Sequence, residues 1–354
     1  MTKWIGFVIM FFLIMSSCTN DPEKNNTGVI TIAHGQMPAV SAQDTDSLNI
    51  VFGSGDSLKH IYCANKGSSF SSPELIDTLP GLVAFATRGP QIAVTKNGIA
   101  VIAVNTSGNI FSYTKDASGK WKKTEQINDV DTTNKEGFLG LGSDGENNLF
   151  AIWTDLRNDK RNKLYGAKST DGGKTWQKNI LVYKSPDGTI CECCKPSVAI
   201  QANHVIVMFR NLLQGNRDLY IIESADGGQS FGEATKLGKG SWALNGCPMD
   251  GGGLAINEQG RIQTVWRRES KIYTNEPGKA EKKIGEGKSC TIETINNKNV
   301  YAWSKEDSIR CLLPDGTLQT IGKGSIPVLK SINDHDVLCI WENNKQIESY
   351  LLHL

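Results

Sequence analysis

The chain has 354 residues, 39% of them hydrophobic and 21% charged, with 36 glycines and 11 prolines. That composition excludes disorder and a collagen-like repeat, and it supplies apolar material for a large core. Thirty-eight Lys and Arg against 37 Asp and Glu leave a formal charge of +1, too weak a field to concentrate nucleic acid.

At the N-terminus, Lys3 precedes an apolar run from Trp4 to Met15, followed by Ser16, Ser17 and Cys18. A charged start, a short apolar stretch and small residues before a Cys form a secretory signal with a lipoprotein-type processing site. Residues 1–17 are therefore expected to be a signal peptide, with Cys18 as the lipidated start of the mature chain. The acyl chains would anchor the protein to a membrane of the bacterial cell envelope, on its periplasmic or surface face, at about 0.8 kcal/mol per buried methylene. Residues 18–27, polar after the Cys, read as a flexible tether. The folded body is expected over 28–354.

Along this body one pattern recurs: Pro or Gly, a short apolar strand, a polar turn, and a second apolar strand ending in a large residue. The second strands end at Phe52, Val104, Trp153, Phe209, Trp266, Trp303 and Trp341. Seven copies at intervals of roughly 40 to 55 residues fit an all-β propeller of four-stranded blades and are too short for βαβ units. Merging the two short C-terminal copies would give six blades. The last copy supplies three strands, and residues 29–33 are expected to add the fourth and close the ring.

Two segments between these copies share a second pattern, STDGGKTW at 169–176 and SADGGQSF at 224–231. Asp171 and Asp226 can accept backbone N–H bonds inside a tight hairpin, the glycines permit positive φ, and Trp176 and Phe231 can pack between strands. With these motifs the body resembles the sialidase-like Asp-box, or BNR-repeat, propellers, here in a lipoprotein form with a Cys-x-Cys-Cys motif. The resemblance covers residues 29–354 and implies that the Asp boxes are structural turns on the face away from any active site.

In a propeller the loops leading into each inner strand share one face with those joining second and third strands. The first set carries His34, Arg88, Glu136, Cys191, Cys193, Cys194, Lys195, Trp242, Cys247, Met249, Asp250 and Cys290. The second carries Asp155, Arg157, Arg210, Arg217, Asp218, Arg267 and Arg268. Five of nine cysteines thus fall on three consecutive blades. Three readings stay open: disulfides among Cys191, Cys193, Cys194, Cys247 and Cys290; a Cu or Zn site of these thiolates assisted by Met249 or His34; or a reactive thiol.

The family resemblance implies a different chemistry for the arginines. Sialidases bind a substrate carboxylate with three arginines, and Arg88, in Thr87-Arg88-Gly89-Pro90, keeps the Arg-x-Pro spacing of the first while its flanks differ. Arg210 and Arg267 are candidates for the others, with Asp155 or Asp250 as the acid. No convincing Tyr and Glu nucleophile pair is found. The leading expectation is therefore a lipid-anchored extracytoplasmic propeller whose Cys-rich face binds a ligand, a soft metal or another envelope protein, with glycan as one ligand class. The alternative is an exo-α-sialidase acting on sialoglycans.

Overall fold

Second strands such as Leu149–Asp155 are buried at every position, which a sheet with one wet face would not allow. Such strands require cover on both faces, and stacking small sheets around an axis provides it. The computed structural model, which describes Met1 and residues 28–354, shows this arrangement: seven sheets in a ring, and no helix among the described residues. The signal segment, Cys18 and the rest of the tether lie outside the described residues.

The inner strands run over Gln36–Ala42, Gln91–Thr95, Leu139–Ser143, Ser197–Gln201, Gly253–Ile256, Lys288–Ile295 and Ser325–Ser331, and define blades 1 to 7. Within each blade the chain proceeds outward by antiparallel hairpins. All seven residues expected on second strands lie there, so the count of seven holds and the merger to six does not. The ring closes where Ile30–His34 becomes the fourth strand of blade 7, pairing Ile30 with Ser349 and His34 with Gln346. One glycine, Gly35, then carries the chain into blade 1, and its N–H donates to the Lys345 carbonyl at 2.9 Å.

The core lies between blades rather than inside them. Leu48, Ile50 and Phe52 of blade 1 pack on Leu338, Ile340 and Ile347 of blade 7. Phe150 and Ile152 of blade 3 pack on Val205, Val207 and Phe209 of blade 4. Trp341 fits under the outer strand of blade 6 because residue 322 is Gly: a Cβ there would lie 2.5 Å from the ring's Cζ2.

The turns holding Asp171 and Asp226 join third to fourth strands and therefore lie on the rim opposite the inner-strand approaches. Asp171 Oδ1 accepts from the N–H groups of Lys174 and Thr175, both at 3.0 Å, and from the Ser169 hydroxyl at 2.8 Å. Asp226 repeats this with Gln229 and Ser230, both at 2.9 Å, and its hydrogen bonds, that from the Ser230 hydroxyl foremost, hold its pKa below the ordinary value. Phe231 packs on Phe150 with ring centroids 5.6 Å apart, and Trp176 covers the blade 2 and 3 cluster.

Two stability effects follow. Gly322→Ala should lower stability by about 1–3 kcal/mol in urea titration, because the methyl meets a ring with nowhere to move. Burial holds His60 neutral in the fold, its pKa lowered from 6.5 to about 4, with Lys115 adding to the effect. The unfolded chain then binds the extra proton between those values, so stability should fall as pH drops from about 6.5 to about 4. His60→Gln should flatten that part of the pH–stability curve.

Candidate functional site

The rim formed by the inner-strand approaches is organised by Arg210, which ends the second strand of blade 4 and is 1% exposed. An arginine with no carboxylate partner survives burial only if its donors are otherwise met. Here Nε donates to the Asp250 carbonyl at 3.2 Å, one terminal nitrogen to the Arg217 carbonyl at 2.8 Å, and the other to the Arg267 carbonyl at 3.0 Å. One side chain thus ties the rim of blade 4 to that of blade 5. The Arg210 carbonyl in turn accepts the Cys191 N–H at 3.1 Å, placing the cysteine segment beside it.

Cys191, Cys193 and Cys194 are all buried, and their sulfurs lie within 4.8 Å of one another. Cys191 Sγ is 3.7 Å from Cys193 Sγ and 3.6 Å from Cys194 Sγ. These separations exceed the roughly 2.05 Å of a disulfide, and all eight described cysteines are free thiols. Hydrogen bonding with Cys193 and then Cys194 pulls the Cys191 pKa far below that of an ordinary thiol, and the Arg217 guanidinium, 3.0 Å from its sulfur, supports the thiolate. The same bonding raises Cys193, while burial raises Cys194.

The other sulfur and imidazole candidates fall elsewhere. Cys290 is buried in the central funnel, where desolvation and the charge of Asp250 push its thiol well above the ordinary range. Cys247 and Met249 are exposed, and His34 is an exposed residue of the outermost strand of blade 7. None of these four belongs to the group of three thiols.

The arginines expected to share a substrate donate mainly to backbone. Arg88 Nε donates to the Glu136 carbonyl at 2.6 Å, and its guanidinium lies 4.2 Å from the Phe138 ring centroid. Arg267 donates to the Pro248 carbonyl at 2.8 Å and pairs with Asp250 Oδ2 at 3.1 Å. Both Arg210 and Arg267 lie against Trp242, at 5.4 and 5.2 Å from its centroid. Asp155, 0% exposed, holds Arg157 with both oxygens, at 2.9 and 2.8 Å, and accepts the Trp153 indole N–H at 2.9 Å. Of the five proposed sialidase-type residues, Asp250 lines the central cavity and the other four do not.

That cavity has a volume of about 240 Å³ and is walled by the approaches and first residues of the inner strands. Lys195, Thr87, Gln91 and Ser289 line it alongside Met37 and Ile326. Burial brings the Lys195 ammonium down to about 8. The contributions of Met37, Ser289 and Ile326 escape sequence reading, since they depend on bulges that no local motif announces.

A scan against protein-family models finds no match, and neither does a search of curated proteins. Solved structures do resemble the chain. Virginiamycin B lyase from Staphylococcus aureus, with quinupristin, aligns over 92% of this chain and 98% of its own at 11% identity, with a TM-score of 0.55. An ulvan lyase aligns over 91% and 94% at 11% identity and 0.55. The SapL1 lectin in complex with α-methyl fucoside aligns over 83% and 97% at 13% identity and 0.53. The two lyases are seven-bladed propellers, and at such identities the likeness carries the fold.

Arg210→Met should destabilise the protein by at least about 3 kcal/mol in urea titration, because three buried carbonyls lose their donor.

Proposed function

We propose that this protein is an envelope-anchored soft-metal-binding propeller that holds one Cu(I) ion on Cys191, Cys193 and Cys194. The observation that carries this reading is the spacing of three buried sulfurs. Thiolates about 2.3 Å from one ion lie about 3.8 Å apart in pyramidal and about 4.0 Å apart in planar three-coordination, within a few tenths of an ångström of the 3.6 and 3.7 Å found.

Charge and ligand number favour Cu(I) over Zn. Three thiolates and a monovalent ion leave two negative charges, and Arg217 and Arg210 stand by to offset them: Arg217 touches Cys191, and the charge of Arg210 acts on Cys194. Structural Zn prefers a fourth ligand, and the described His, Cys, Asp and Glu residues supply no fourth member to this group. Soft thiolates select Cu(I). Binding would displace the remaining thiol protons, so affinity should fall as pH falls. The Cys18 lipid would keep the site at a membrane surface, available to another envelope protein.

The sialoglycan reading draws less support, because Arg88, Arg210 and Arg267 spend donors on carbonyls and line no common cavity. Saccharide binding is named for two structural neighbours, the ulvan lyase and the SapL1 lectin.

Reduced, metal-free protein titrated anaerobically with Cu(I) against a competing chelator should retain one ion per chain, with only sulfur neighbours at about 2.3 Å in X-ray absorption. Cys191→Ser with Cys194→Ser should abolish retention, and Cys247→Ser should leave it unchanged. Failure of the wild-type chain to retain Cu(I), or retention of Zn in its place under the same competition, would overturn the assignment.

A further inference from the structure

We propose that the central funnel is a second site, one that binds a small organic carboxylate carrying a hydroxyl or an amine. Asp250 is 1% exposed and lines the cavity, yet its Oδ1 has no hydrogen-bond partner. Its Oδ2 is engaged, by the Ser289 N–H at 2.9 Å and by Arg267 at 3.1 Å. Thr87 lines the same cavity, and its hydroxyl is likewise buried without a partner. Buried polar atoms are normally satisfied, and two unsatisfied ones on residues that line one void indicate where a ligand's groups belong.

The rim is also strained around this void. Met37, Ser289 and Ile326 have φ of 54°, 54° and 58°, and Thr87 has 68°, all in a region that side chains, branched ones above all, avoid. Met37, Ser289 and Ile326 occupy β-bulges at the start of the inner strands of blades 1, 6 and 7. A bulge re-aims side chains, and here three of them border one opening. Each bulged residue is tied to the preceding blade, Met37 N–H donating to Glu342 Oε2 at 3.2 Å, Ser289 N–H to Asp250 Oδ2 at 2.9 Å and Ile326 N–H to the Ser304 hydroxyl at 3.0 Å, so the positive-φ residues of three blades are held at the funnel mouth.

The chemistry of the wall selects the ligand. Asp250 Oδ1 can only accept, so the ligand must present an O–H or N–H. The Lys195 ammonium has one hydrogen bond, to Gln91 Oε1 at 2.9 Å, and retains donors for an anionic acceptor. Arg267 offsets the charge of Asp250 at 3.1 Å, which leaves the Lys195 ammonium to meet an anionic group on the ligand. Part of the remaining wall, at Leu254, Ile292 and Val328, is apolar and suits a small hydrocarbon body. A hydroxy acid or an amino acid, each with a carboxylate, a donor and a small hydrocarbon body, meets these conditions.

Calorimetry and thermal unfolding of the full chain with lactate, mandelate, alanine and leucine test this, with isopropanol, benzyl alcohol, ethylamine and isoamylamine as matched probes lacking the carboxylate. At least one acid should bind and raise Tm while its matched probe does not; binding by hydroxy acids alone or amino acids alone identifies the donor that Asp250 reads. Lys195→Met and Asp250→Asn should each weaken binding at least tenfold. Because Asp250 also holds Arg267, the isosteric Thr87→Val serves as a check that leaves the ion pair intact: it should weaken binding without lowering the Tm of the free protein. Absence of binding by every acid, equal binding of the matched probes, or undiminished binding in Lys195→Met would overturn the proposal.

Discussion

Closure is the constraint on which the molecule depends. Each blade buries its faces only against its neighbours, so a ring left open would expose two whole sheets of Leu, Ile and Val. The pairing of Ile30–His34 with the strand ending near Leu354 prevents this by making the first strand of the folded body the outer edge of the last blade. The hydrophobic clusters spanning blades 7 and 1 and blades 6 and 7 then form like the others. With the ring closed, inner strands converge on an axis and their approach loops have one direction in which to lie.

Convergence alone would leave a polar, mobile rim. Arg210 supplies the second condition, since its planar fork reaches three carbonyls belonging to the blade 4 loop, the segment before the blade 5 inner strand and the end of the blade 5 second strand. A lysine could not meet three acceptors in these directions with the same rigidity. Two chemistries result on either side of this side chain: a sulfur cluster whose charge arginines can offset, and a funnel whose carboxylate is oriented by Arg267 and Ser289. They share a segment, because Lys195 lines the funnel one residue beyond Cys194.

Much of the architecture was legible in the residues. Large apolar side chains recurring at the ends of second strands are a local record of inter-blade packing, and Trp153, Trp303 and Trp341 are each at most 1% exposed. Asp171 and Asp226 were readable as turn staples because their donors and glycines lie within a few residues of each other. The cysteine group was legible in part: Cys191, Cys193 and Cys194 are adjacent in sequence and adjacent in space, whereas Cys247 and Cys290, placed on the same face by topology, point to solvent and to the funnel. The arginine triad was expected by analogy, and the analogy had no access to the carbonyls that take the guanidinium donors.

Sequence by itself determined the repeat and the turns at Asp171 and Asp226, because each rests on patterns of burial and backbone conformation set within one hairpin; it pointed to seven blades with six left open, and the structure decided for seven. Tertiary structure alone decided which rim residues meet. The partners of Arg210 are main-chain oxygens that every residue possesses, and the bulges at Met37, Ser289 and Ile326 arise from strand register; neither leaves a mark in side-chain identity, so the sulfur cluster and the funnel acquire their chemistry only when the ring brings distant backbone together.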